Sequence, residues 1–62
     1  MIYTIEFEHD YGMAFIEITA ESKQAAVNQF VSRYPEHEGT DGTIEDSEGK
    51  QSPLAFYWPN RL

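Results

Sequence analysis

Tyr3, Ile5 and Phe7 alternate with Thr4, Glu6 and Glu8, the period of a strand that buries one face. A second run repeats the pattern over 14–18, with Ala14, Ile16 and Ile18 on one side and Phe15, Glu17 and Thr19 on the other. Between the two runs, His9, Asp10, Tyr11 and Gly12 supply turn chemistry. Pairing positions whose numbers sum to 21 sets Phe7 opposite Ala14, Ile5 opposite Ile16 and Tyr3 opposite Ile18. Both apolar sets then share one face, and a hairpin is predicted. The same register leaves Glu6 beside Phe15, Thr4 beside Glu17 and Glu8 beside Met13 on the outer face, where two apolar side chains sit among carboxylates.

The period then changes from two to between three and four. Ser22 is the expected N-cap of a helix over 23–34, whose stripe of Ala26, Val27, Phe30, Val31 and Tyr34 faces the sheet while Gln24, Asn28 and Arg33 stay wet. Pro35 ends it, because the residue before proline is pushed out of helical geometry. The polar, glycine-containing stretch 36–42 reads as a loop. A short strand is expected over 43–46, a turn over 47–50 and a fourth strand over 54–58, with Pro53 placing its start at an edge or bulge. Pro59 and the terminal Asn60, Arg61 and Leu62 stop that strand. The order is β-β-α-β-β, an α+β fold with a four-stranded, mostly antiparallel sheet and one helix on one face.

Sixty-two residues make a single domain, 1–62, with one thin core. Four Phe, four Tyr and one Trp give that core a large apolar area for its size. Cysteine is absent, so packing must suffice without disulfides or a thiolate metal site, and a reducing cytosol fits. No apolar stretch approaches the roughly 20 residues that span a bilayer, and the chain opens directly on an alternating pattern, so it reads as soluble and unprocessed.

Signs of catalysis are weak. His9 and His37 stand apart in sequence and read as exposed, outside any recognised ligand spacing. Asp41, Gly42 and Thr43, like Asp46 to Gly49, lack the series of oxygen ligands that closes a calcium loop. No nucleophile elbow, phosphate loop or dinucleotide fingerprint is present, and the glycines at 12, 39, 42 and 49 are assigned to turns. The expectation is a non-enzyme with no cofactor and no metal.

Charge is the largest departure from an average domain: 11 acidic against 4 basic side chains, a net charge of -7. Direct binding to nucleic acid or an anionic membrane is disfavoured, because both need a basic face. Glu36, Glu38, Asp41, Glu45, Asp46 and Glu48 follow one another with no Lys or Arg among them, and Glu6, Glu8, Asp10 and Glu17 form a second group. Solubility is the plainer explanation of both groups. Together they also fit a groove built for phosphates, with Phe15 and Tyr57 as candidate apolar anchors. The expected partner is a protein or complex with a basic surface, met by a monomer or weak homodimer.

The joint Phe15-Ile16-Glu17-Ile18-Thr19-Ala20-Glu21-Ser22-Lys23-Gln24-Ala25-Ala26 resembles the strand-to-helix joint of very small proteins encoded by bacteriophages and mobile elements, including phage inhibitors of host polymerase and some anti-CRISPR proteins. It is a structural joint and transfers no functional residue. The resemblance, the small size and the acidic balance together point to a phage-type inhibitor acting in the cytoplasm of a bacterial host, in its specific form an anti-CRISPR that mimics nucleic acid and blocks DNA binding. The alternative is an accessory or assembly module of a larger complex, its acidity serving only solubility.

Overall fold

The alternating segments form the predicted hairpin. In the computed structural model, which describes residues 1–59, strand β1 (Ile2–His9) pairs antiparallel with β2 (Gly12–Thr19), and Tyr3↔Ile18, Ile5↔Ile16 and Phe7↔Ala14 are partners. The register matches the expected sum throughout. The turn needs a positive φ, and Gly12 supplies it at 121°. Among the described residues no non-glycine has positive φ, so the mirror-image hairpin turns, which need it at Asp10 or Tyr11, do not form here.

Ser22 caps helix α1 (Lys23–Arg33) as expected, its hydroxyl oxygen accepting from the Ala25 N–H at 3.1 Å. Tyr34 leaves helical geometry immediately before Pro35, and its N–H still donates to the Phe30 carbonyl at 2.8 Å. Ala26, Val27 and Phe30 are buried against the inner sheet face, with the Phe30 ring 5.1 Å from that of Phe7. The stretch after Pro35 is more ordered than a loop: Pro35–His37 forms a 3-10 turn, and the Thr40 N–H returns to the His37 carbonyl at 3.1 Å.

Strand β3 (Gly42–Glu45) pairs with β1, and β4 (Gln51–Pro53) pairs with β3, giving the antiparallel order β2-β1-β3-β4. The fold is therefore α+β with the helix across one face. The fourth strand is displaced from the predicted 54–58. Pairing stops at Pro53, and Leu54–Phe56 turns as a 3-10 helix that seats Leu54 fully buried in the core. Proline lacks the N–H for further pairing, and burying Leu54 outweighs extending an edge. This turn carries Tyr57 and Trp58 to the helix, where the Gln24 side chain donates to the Tyr57 carbonyl at 2.7 Å and the Trp58 ring lies 6.1 Å from Phe30. The stop assigned to Asn60, Arg61 and Leu62 lies outside the described residues.

Two further expectations change. Gly42 is a strand residue, not a turn residue, and close backbone approach is what requires glycine there. His37 is not simply exposed: its ring lies on Phe7 at 4.9 Å and 5.5 Å from His9, so chain folding brings together two histidines that stand apart in sequence.

Candidate acidic sheet face

Parity decides which side chains share the uncovered face. Opposite the helix, β1 presents Ile2, Thr4, Glu6 and Glu8, β2 presents Met13, Phe15, Glu17 and Thr19, and β3 presents Thr43 and Glu45. The register builds a row Glu17, Thr4, Glu45, Gln51 and beside it a row Phe15, Glu6, Thr43, Pro53. The Glu8 N–H donates to the Asp41 carbonyl at 3.0 Å, which carries the ladder on to Asp41. No Lys or Arg stands on these strand positions.

Glu6 and Glu8 are about 7 Å apart along one strand, and Glu17 and Glu45 are two strand spacings apart, about 9.5 Å. Both separations fall within the roughly 10 Å over which charges interact at 0.1 M salt. The carboxylates therefore repel one another on a rigid frame and hold a negative potential over the face. Within this charge, Phe15 is 65% exposed and Met13 is 51% exposed. The two are successive outward positions of β2 and form a short apolar strip there, whereas exposed Ile2 stands on β1 at the far end of the face, opposite Thr19.

The structure divides the dense acidic run 36–48. Glu45 joins Glu6, Glu8 and Glu17 on the sheet face. Asp46 and Glu48 lie at the turn between β3 and β4, and Asp46 holds that turn together, its Oδ1 accepting from the N–H groups of Glu48 and Lys50, each at 2.9 Å. The Lys50 N–H holds the Asp46 carboxyl below its ordinary value; desolvation opposes it, and the Glu48 N–H and the charges of Lys23 and Lys50 add smaller amounts to the lowering. Glu36 and Glu38 belong to the segment following the helix, Glu36 lying 3.8 Å from the His37 ring nitrogen and Glu38 closing the 3-10 turn. Asp10 stands at the hairpin tip. Tyr57 packs on the core beside the helix, so it does not join Phe15.

Sequence reasoning overlooked Ile2 as a member of this face and, although it expected a short strand over 43–46, grouped Glu45 with the acidic run and not with Glu6 and Glu17. Strand parity carries the signal for Ile2, two positions before Thr4. Glu45 became a face residue only when β3 paired with β1, a long-range event. Among the described residues there is no pocket and no group of three or more His, Cys, Asp or Glu side chains placed to hold a metal ion, and no helix is long and apolar enough to cross a membrane. Comparison with protein-family models, curated proteins and solved structures finds no match.

Proposed function

We propose that this protein is a non-catalytic inhibitor of a nucleic-acid-handling protein, and that it acts by laying its carboxylate-bearing sheet face against the basic surface that otherwise holds phosphates. In its most specific form it is a phage-type anti-CRISPR that works in the host cytoplasm and keeps DNA from a CRISPR effector. The observation that supports this reading is the gathering of Glu6, Glu8, Glu17 and Glu45 from three strands onto one uncovered face, with no basic side chain among them. Fixed carboxylates offer Lys and Arg the charge that phosphates do, without the entropy cost of ordering a loop. Asp41 continues the ladder beside Glu8, and Glu36, Glu38 and Glu48 widen the negative field from outside the face.

The test is competition. Protein captured from host lysate is challenged with DNA across a salt series, using the parent and a Glu6→Lys/Glu17→Lys variant. Mutual exclusion with DNA, affinity that falls with salt, and a loss of at least tenfold, or about 1.4 kcal/mol, in the variant are expected. Simultaneous binding of DNA, or indifference to salt, removes the reading. The exposure of Phe15 and Met13 favours a second one, an accessory module that docks through this apolar strip. Such a module tolerates salt and the charge reversals but loses its partner on Phe15→Ala.

A further inference from the structure

We infer that the free edge of β2 is a strand-addition site, and that it takes an extended segment of the partner carrying basic and apolar residues at alternate positions. The inference rests on the proposed inhibitor function only for the partner's charge.

Met1 and Ala20 exchange both backbone hydrogen bonds, Met1 N to Ala20 O at 3.1 Å and Ala20 N to Met1 O at 2.9 Å. In an antiparallel ladder such pairs alternate, so Ile18, Ile16 and Ala14 point their N–H and C=O groups at β1. Glu17, Phe15 and Met13 point theirs away. Thr19 has the same parity, and its carbonyl accepts from the Gln29 side chain at 3.2 Å, which covers the edge at that end. From Met13 to Glu17 no described residue provides such a cover.

The two edges of the sheet differ. β4 has three residues and ends on Pro53, features that block further pairing. β2 has eight residues in constant register, with no bulge, no proline and no lysine. Apart from the charge of Glu17 and the Gln29 cover at Thr19, it lacks the usual devices that keep an edge from pairing. A strand added there places alternate side chains beside Met13, Phe15 and Glu17 and two strand spacings, about 9.5 Å, from Glu6 and Glu8, where basic residues find complementary charge. Its other side chains fall beside half-buried Ala14 and Ile16, where apolar residues extend the core. A second copy fits less well, because pairing two β2 edges brings the carboxylates of two molecules of net charge -7 onto one continuous face.

The probe is an alternating Lys-Val peptide long enough to span β2, and the readout is hydrogen exchange at individual amides of the whole protein. Saturating peptide is expected to slow exchange at Met13, Phe15 and Glu17 by at least about tenfold, as new hydrogen bonds cover those N–H groups. The same peptide N-methylated at the positions facing β2 is expected to give no protection. Phe15→Pro removes one of the open donors and should abolish binding. Should that variant fail to fold, the N-methylated peptide on the parent protein decides alone. No binding at millimolar peptide, or binding without protection of those amides, overturns the inference. Equal, salt-sensitive binding of both peptides overturns the edge and leaves the acidic face standing. Protection that survives Glu6→Gln/Glu17→Gln at unchanged affinity upholds the edge and removes the charge reading.

Discussion

Gly42 lies directly opposite Phe7 where β3 meets β1, and the two backbones approach so closely that a Cβ at Gly42 would stand 2.9 Å from the Phe7 Cα and collide with the Glu6 carbonyl oxygen. The Leu54 Cδ1 at 2.9 Å closes the same space from the other side. Gly42→Ala is therefore expected to lower stability by about 1–3 kcal/mol through overpacking, read as a fall in the urea midpoint. A variant as stable as the parent would show that the backbone yields at no cost.

Phe30 is fully buried between Phe7, Tyr34 and Trp58. Truncation to Ala leaves a cavity in the core, at an expected cost of about 3–5 kcal/mol, most of what a domain this small possesses. Thermal melting by circular dichroism checks it, and an unshifted curve contradicts the packing of Phe30 against the sheet.

Asp46 and Glu48 are both acidic turn residues, but they should respond differently to replacement by Ala. Asp46→Ala removes the acceptor for two backbone N–H groups and lowers the melting temperature, whereas Glu48→Ala leaves it nearly unchanged. Because the folded-state pKa of Asp46 lies below its ordinary value of 3.8, its ionised form contributes stability above that pH, and the contribution is lost as pH falls through the folded pKa. The gap between Asp46→Ala and the parent should thus narrow below about pH 4, in melts recorded across the acid range. A gap that widens there would contradict the assignment.

Repulsion among Glu6, Glu8, Glu17 and Glu45 has a signature of its own. Salt screens it, so the parent should melt higher at 0.5 M than at 0.02 M sodium chloride, as the Debye length shortens from about 20 Å to about 4 Å. Glu6→Gln/Glu17→Gln should raise the low-salt melting temperature and flatten the dependence. Equal salt responses in both proteins would place the strain elsewhere.

Period-two alternation determined the β1–β2 hairpin and its register by itself, because a slip of one residue would turn every apolar side chain out of the core. The period of α1, its Ser22 cap and its stop before Pro35 were equally local, set by side-chain geometry within a few residues. The acidic balance and the outward parity of Glu6, Glu17 and Phe15 were also legible. Only tertiary structure decided the rest. Leu54 belongs to a 3-10 turn because the core has room for it and Pro53 cannot continue a ladder. Gly42 is a packing glycine because β3 crosses close to Phe7, a contact between residues far apart in the chain. Glu45 joins the acidic face and Tyr57 leaves it for the same reason: strand pairing and chain reversal place them, and neither charge nor local period encodes where a distant strand will lie.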